Sequence, residues 1–528
     1  MNQDKIDHKP KKSLANTFSL VAIVTVLSKI AGLLRDIVLL QAFGTSMISD
    51  AFNYATLFTG NFFILFGGLG RPFHTSTVAI LTPLKDKKEF ATTTFQIIFY
   101  TLIILLFLAI IGYFISPYIV HIIAPANGHS QIYQIKLWQE TTLDLRIMLP
   151  LIIMAGLIGI AYGIMNVYDK FFLPSISPSI SSIVLIISVL MTSKEIGGLS
   201  LAYGTLVGAL FQLLSQFSLI TQLHFTFSLK PTTDTINFFQ MLWPAAIGTS
   251  IGQLNIYVDS FFTSQLQEGS WTAIVNANRL VQLPLGVLLT AMLVPILPRF
   301  TTYVFENKID VLKAEFHKAL RILWFLAIPL GTLLFALKDP VVEILFKRGA
   351  FNQDSKLLLI NALTFLIPSI FFYVARDLIT RVFYAHKDTK TPYYVALFAI
   401  FTNFIFDFIL IKPLGIGGIT LSTTIVTIIN LVILNALIKQ KIGSLELTKT
   451  LKPLLTMLLA ASLSSLTAYL IMHNCASFSS HSFSLKIICL SFSGGLGCLM
   501  YFILCLFFKL NEASYGLKFI QDKIHKNP

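Results

Sequence analysis

Long apolar runs recur along nearly the whole chain, separated by short polar turns and lacking the alternation of a half-buried strand. They fall near residues 17–42, 47–82, 90–115, 143–166, 175–193, 199–222, 237–263, 272–297, 316–337, 357–384, 391–411, 417–438, 452–472 and 484–508. A hydrocarbon core about 30 Å thick takes roughly 20 residues of helix to cross. Backbone groups cannot go unpaired in lipid, and these runs are too long and continuous for barrel strands, so each predicts a helix. The expected fold is all-α: a polytopic membrane protein of about fourteen transmembrane helices in two lobes around a central cavity.

The spans divide the chain into a tail (1–16), an N-terminal lobe of helices one to six (17–225), a C-terminal lobe of helices seven to twelve (226–440), an added hairpin (441–510) and a second tail (511–528). GIMNVYDKFFLPSISP at 163–178 and RVFYAHKDTKTP at 381–392 each close the fourth helix of a lobe and run into proline, an echo expected of repeated halves. The second span is long for one crossing and holds Gly67, Gly68, Gly70 and Pro72, which predict a break.

Composition agrees with a lipid solvent. Of 528 residues, 55% are hydrophobic and 12% charged, against about 25% charged in ordinary soluble domains; the mean hydropathy is +0.76. The net charge of +14 would suit nucleic acid if it formed a patch, but it is dispersed. With alternating spans, Lys5, Lys9, Lys11, Lys12, Lys85, Lys87, Lys88, Lys308, Lys313, Lys318, Arg321, Lys439, Lys441, Lys449, Lys452, Lys509, Lys518, Lys523 and Lys526 fall on one side, which the positive-inside rule makes cytoplasmic. Both termini are then cytoplasmic and no nucleic-acid partner is expected. The first apolar segment carries Lys29, Arg35 and Asp36 and no small-residue cleavage site, so it reads as a retained helix. Cys475, Cys489, Cys498 and Cys505 show no metal-ligand spacing and read as packing residues.

The informative residues are the charges at lipid depth, where each costs roughly 2.5–3.5 kcal/mol even on the gentlest scale and marks a pathway or a pair. They are Lys29, Arg35 and Asp36 in helix one; Asp50, Arg71 and His74 in helix two; Asp259 in helix seven; Arg279 in helix eight; Arg376, Asp377 and Arg381 in helix ten; and Asp407 in helix eleven. At helical spacing Gly252, Asn255 and Asp259 share one face, as do Asn276, Arg279 and Gln282. Asp377 with Arg381, and Asn403 with Asp407, are spaced to pair within their own helices. Lys29, Arg35 and Arg279 have no carboxylate four residues away, and three such cations suit an anion, above all a diphosphate, which arginine grips in a bidentate fork. No DxD, HExxH, GxSxG or P-loop pattern is present, so no catalytic residue is expected and the chain reads as a transporter, not an enzyme.

LSKIAGLLRDIVLLQAFGTSMISDAF (27–52), QLNIYVDSFF (253–262), NANRLVQLPLGVLLTAMLVPILPRF (276–300), ILFKRGAF (344–351) and RVFYAHKDTKTP (381–392), in this order, resemble the MurJ/MviN lipid II flippases. That family lies within the larger group of multidrug and polysaccharide exporters. The resemblance implies export of an undecaprenyl-diphosphate-linked peptidoglycan precursor across a bacterial inner membrane by alternating access, driven by membrane potential. It places the family's cavity cations at Lys29, Arg35 and Arg279, its cavity acid at Asp50, and an acid linked to ion coupling at Asp259, beside Asn255. Asn276 and Gln282 complete the expected lining. No cofactor is implied beyond a monovalent cation. Membrane lipids are expected partners, with cell-wall synthesis proteins as a further class. The family's paired arginines of helix two fall where this chain reads NFFILFGG, with Arg71 the candidate replacement, and the acids flanking its eighth-helix arginine are here Asn278 and Gln282. A flippase for another polyprenyl-linked saccharide, a cation-coupled drug exporter and a non-transporting scaffold are the alternative functions.

Overall fold

The computed structural model describes residues 14–68, 71–220, 226–445, 450–479 and 483–514. Residues 1–13 and 515–528 of the expected tails, with Lys5, Lys9, Lys11, Lys12, Lys518, Lys523 and Lys526, and also Gly70 and Lys449, lie outside them. Every regular element among the described residues is helical. In chain order the helices are α1 (Leu14–Phe43), α2 (Met47–Phe66), α3 (Pro72–Leu81), α4 (Glu89–Ile123), α5 (Gln131–Met148), α6 (Pro150–Val167), α7 (Phe172–Ile196), α8 (Leu199–Ile220), α9 (Thr233–Ile251) and α10 (Leu254–Thr263). There follow α11 (Ser270–Phe305), α12 (Ile309–Ala336), α13 (Lys338–Phe346), α14 (Gln353–Leu366), α15 (Ser369–Ala385), α16 (Lys390–Leu414), α17 (Ile416–Ile442), α18 (Leu451–Ser479) and α19 (Phe483–Phe507).

Each of the fourteen apolar runs overlaps helix among the described residues. Among the described residues nine helical segments are long and apolar enough to cross a membrane, and ten if α14 and α15, bent by 44°, form one broken span. The second run breaks where its glycines and Pro72 predict: α2 ends at Phe66 and α3 starts with Pro72 at its first position, where the missing N–H costs nothing. The seventh run also breaks, between α9 and α10, so Gly252 sits in the break and not on a shared helical face with Asp259.

The chain forms two compact units. Unit 1 holds residues 1–42, 51–121 and 135–250; unit 2 holds 43–50, 122–134 and 251–528. The C-terminal lobe expected at 226–440 therefore starts later in the structure, because α9 packs in unit 1. Gln96 of α4 donates to the carbonyls of Ser228 (3.1 Å) and Lys230 (2.7 Å) and accepts from Thr232 and Thr235, and Phe238 lies against Phe73. The expected hairpin, α18 and α19, belongs to unit 2.

In unit 1, α6 is buried along nearly its whole length. Tyr162 ties three helices: its hydroxyl bonds Ser177 of α7 (2.7 Å) and accepts from Gln212 of α8 (2.9 Å). Outside faces are apolar, as at Ile183, Ile187 and Leu190 of α7 and Phe398, Phe401, Ile405 and Phe408 of α16. Exposed apolar bands on this scale suit hydrocarbon, not water.

The sequence echo has a structural counterpart. α6 ends with Asp169 at φ 59° and a Lys170 N–H to Met165 carbonyl bond (2.9 Å); α15 ends with Lys387 at φ 58° and an Asp388 N–H to Phe383 carbonyl bond (3.0 Å). α11 and α19 close in the same way, at Asn307 and Lys509, so this closure alone does not mark a repeat. The glycines do. Gly197 joins α7 to α8 at φ 57°, ψ −132°, and Gly415 joins α16 to α17 at φ 55°, ψ −128°, a region open essentially to glycine. α6–α7–α8 and α15–α16–α17 thus share their turns. In the second copy Asp388 accepts from the Thr391 N–H (2.9 Å) and hydroxyl and pairs with Lys441 (2.9 Å), which holds its carboxyl down at about 2 against the opposing pull of desolvation.

In unit 2 the C-terminal hairpin is tied by apolar contact of Leu333 and Leu337 with Ala468 and Met472 and by the Glu343 carboxylate. Glu343 of α13 pairs with Lys356 of α14 (2.9 Å) and Lys486 of α19 (2.9 Å). Its partial burial would raise its pKa, but the two lysines outweigh this and bring it to about 2.

Two predictions follow from this packing. A Cβ at Gly418 would lie 2.2 Å from the Leu410 carbonyl oxygen, whereas one at Gly494 meets nothing within 4 Å. Gly418→Ala is expected to cost about 1–3 kcal/mol, Gly494→Ala very little, in detergent unfolding curves; equal midpoints would refute the close approach. Because folding lowers the Glu343 pKa below its ordinary 4.5, its ties stabilise the protein above that pH and are lost as pH falls through about 2. Glu343→Gln should lower stability by up to about 1 kcal/mol at neutral pH, given its partial exposure, and leave a shallower acid loss between those limits.

Candidate functional site

α1 carries the first two expected cations in unit 1. It is held to α7 by the Ser28 hydroxyl, which donates to the Ser175 carbonyl (2.9 Å) and bonds Ser179 (2.8 Å). Lys29, next to this seam, is half-buried and has no ion-pair partner among the described residues. Arg35 differs: its Nε and Nη2 both donate to Oδ1 of Asp36 (3.0 and 2.9 Å), and Asp36 is buried. A search for carboxylates one helical turn away misses this partner, because it is the next residue. Arg35 is thus locally neutralised, and the strong positive charge expected of helix one reduces to Lys29.

Arg71 caps the start of α3 across the break and folds along Gly68, half-buried and without an ion-pair partner among the described residues. His74 meets Asn166 of α6 (2.6 Å between Nε2 and Nδ2). Of the NFFILFGG stretch, the side chains of residues 62–66 lie outside what is described.

In unit 2, Asp50 is buried and fully engaged. Its oxygens accept from the backbone N–H of Gly269 (2.7 Å) and Thr272 (2.8 Å) and from the Thr272 hydroxyl (2.7 Å). These donors open α11, where a helix start presents unpaired N–H groups and the positive end of its dipole. Gly269 itself sits at φ 84°, and a Cβ there would meet the Thr45 carbonyl oxygen at 2.1 Å, so only glycine fits. The 43–50 segment is thereby anchored to the start of the helix that bears Arg279.

The expected α11 stripe is graded. Asn276 is buried and donates to the Thr272 carbonyl (2.8 Å), Arg279 is half-buried, and Gln282 is exposed. Arg279 and Gln282 therefore offer the accessible part of that face, and Asn276 serves the helix.

The densest polar cluster joins α10, α16 and α17 inside unit 2. Asn403 donates to Oδ1 of Asp259 (2.7 Å) and more weakly to Oδ2 of Asp407 (3.3 Å), and the Ser422 hydroxyl reaches the Asn403 side-chain and backbone oxygens (3.3 Å each). The Asn403 amide thus stands between the two carboxylates, Asp259 and Asp407. The local Asn403–Asp407 pairing expected from spacing is present, but the amide's stronger bond runs to another helix. Asn255, expected beside Asp259, keeps its Oδ1 buried and without a partner among the described residues. In α15, Asp377 pairs with its neighbour Arg376 (2.7 Å), not with Arg381 four residues on, and Arg376 also lies over the Tyr373 ring. No group of three or more His, Cys, Asp or Glu among the described residues could hold a metal ion.

Two helical units with apolar exteriors, broken helices and ionisable groups placed within the spans define a polytopic membrane transporter. Residues 39–489 match the family described as MurJ, lipid II flippase MurJ. A Synechocystis sp. protein named "Probable lipid II flippase MurJ" is 30% identical over 460 residues, covering 83% of this chain and 84% of the relative. A Buchnera aphidicola protein of the same name, from subspecies Baizongia pistaciae, is 26% identical over 93% of this chain and 97% of its own. A solved structure titled lipid II flippase MurJ, inward closed conformation, superposes with a TM-score of 0.74 at 26% identity, covering 93% of this chain and 99% of that one. An inward-facing MATE family multidrug resistance transporter of the MOP superfamily, at 15% identity, shares the fold with a TM-score of 0.59 over 83% of this chain. The chain belongs to the MurJ family of lipid II flippases.

Asp50→Ala leaves three donors at the start of α11 without their acceptor and is expected to cost about 1–3 kcal/mol of stability, with Asp50→Asn milder. Unfolding of the purified variants checks this; an unchanged Asp50→Ala midpoint would show that the α11 start does not depend on the carboxylate.

Proposed function

We propose that this protein moves an undecaprenyl-diphosphate-linked peptidoglycan precursor from the inner to the outer leaflet of a bacterial cytoplasmic membrane, with both termini on the cytoplasmic side and without catalysing a reaction. The observation that carries the reading is the family match over most of the chain, together with half-buried cations, Lys29 and Arg279, on span helices of the two units. Headgroup transfer through hydrocarbon would cost many polar groups their water. In unit 1, Lys29 and Arg71 offer positive charge to a diphosphate, and in unit 2 Arg279 does so with Gln282 as a neutral donor, while Arg35, already paired with Asp36, contributes less. Membrane lipids surround the tail, and wall-synthesis enzymes that use the exported precursor are the proposed protein partners.

With the cell interior negative, each negative charge carried outward gains about 2.3 kcal/mol per 100 mV, so no nucleotide-binding site is required. Asp259 and Asp407, with the Asn403 and Ser422 oxygens, form an oxygen set suited to a monovalent cation that resets the carrier. The Asp407 Oδ1, buried and without a hydrogen-bond partner among the described residues, is a spare acceptor consistent with it. The cation would supply charge balance only.

Lys29→Ala combined with Arg279→Ala is expected to abolish outer-leaflet appearance of the precursor while the protein stays in the membrane at normal level, as read by a leaflet-selective labelling assay. Retained export in that double variant would remove the proposal and favour a scaffold. Asp407→Asn should abolish any stabilisation of the purified protein by sodium over choline, measured as a shift in melting temperature. The same sodium shift in variant and parent would remove the acid pair from ion binding.

A further inference from the structure

Unit 2 contains a second feature that the transport reading does not use. Where the α10–α11 turn, the start of α14 and the α16–α17 turn come together, an open cleft of about 770 Å³ is lined by residues of that unit alone. Its size falls in the range of small-molecule sites, roughly 300–1,000 Å³.

Its chemistry is one-sided. The described lining residues include Glu268 and Asp354 and neither Lys nor Arg. Glu268 accepts from the Met47 N–H (2.7 Å) through one oxygen, which leaves the other open, and Asp354 is exposed with no partner among the described residues. The nearby Lys356 does not neutralise them, being held by Glu343 (2.9 Å) and near Asp339 (3.8 Å). Two hydroxyls of the lining, Ser46 and Ser270, are also without partners among the described residues, and Ser270 is 1% exposed. A buried hydroxyl left unpaired costs free energy that a ligand bond would recover. Leu414 and Ile416 add an apolar wall from the α16–α17 turn.

We propose that this cleft binds an alkylammonium ligand of the polyamine class. Ammonium groups meet the Glu268 and Asp354 carboxylates, their spare N–H bonds reach the serine hydroxyls, and the methylenes between them lie on Leu414 and Ile416. The sign of the charge excludes a diphosphate as occupant, so this site and the cargo's anion-binding residues fail or stand separately.

The test is titration of the purified full chain, in detergent at physiological salt, with spermidine, followed by native mass spectrometry and by melting temperature. A single saturable site is expected. The Glu268→Gln/Asp354→Asn double variant should weaken it on the order of tenfold or more, since each substitution removes a charge-assisted hydrogen bond. Asp354→Asn alone, at an exposed carboxylate with no structural partner to lose, should weaken it severalfold even if the double variant fails to fold. Non-saturable binding, affinity unchanged in Asp354→Asn, or competition by inorganic diphosphate would each overturn the proposal.

Discussion

A bare charge or unpaired polar group within hydrocarbon is so costly that the architecture of this protein is governed by where such groups find partners. Each unit answers by short-range means. Arginines lean on the next residue in the chain, as Arg35 does on Asp36 and Arg376 on Asp377. Amides and hydroxyls bridge between helices, as Asn403 does to Asp259 and Tyr162 to Ser177 and Gln212. A carboxylate that cannot reach a cation takes the start of a helix, as Asp50 does at α11. Against that background, the cations that lack a carboxylate neighbour stand out by chemistry as well as by position. Lys29 is the clearest: half-buried on α1, one residue from the serine seam that fixes the helix, and unneutralised among the described residues.

The same economy shapes the repeated part of the fold. Three consecutive helices in each unit, α6–α7–α8 and α15–α16–α17, turn at glycines with nearly equal dihedrals, Gly197 and Gly415. A turn at membrane depth or at its edge must satisfy its backbone within a few residues, and few geometries do so. What differs between the copies is the polar content: the second carries the Asp388–Lys441 tie and the Asn403–Asp407 pair, and the first carries serines along α7.

Much of the fold was legible because its signals are local. Run length against membrane thickness located the helices, and Gly67, Gly68 and Pro72 marked the break between α2 and α3. The break at Gly252 was harder, since one glycine in an apolar run is also an ordinary packing residue, and the attachment of α9 to unit 1 depends on Gln96, more than a hundred residues away. Candidate charges could be located but their partners could not. The helical i, i+4 rule assumes that side chains meet along a face, whereas a long arginine can curl onto its immediate neighbour, and Asp259 with Asp407 meet only because α10 and α16 pack together. Asp50 shows a further limit. Its residue type and depth suggested a lining acid, but the unpaired N–H groups of a helix start more than two hundred residues later are invisible to any local pattern.

The acid pair and Lys29 differ from the other charges at lipid depth. Under the proposed function, moving an anionic headgroup outward is downhill in a membrane that is negative inside, and the same field favours the inward return of positive side chains. Under that proposal, a cation gained or lost at Asp259 and Asp407, two carboxylates that meet one buried amide, would change the charge that unit 2 carries. Arg35 and Arg376 cannot serve this purpose, since each is already matched by its neighbour and stays neutral as a pair. Their pairing instead lowers the cost of holding two arginines in α1 and α15 at lipid depth.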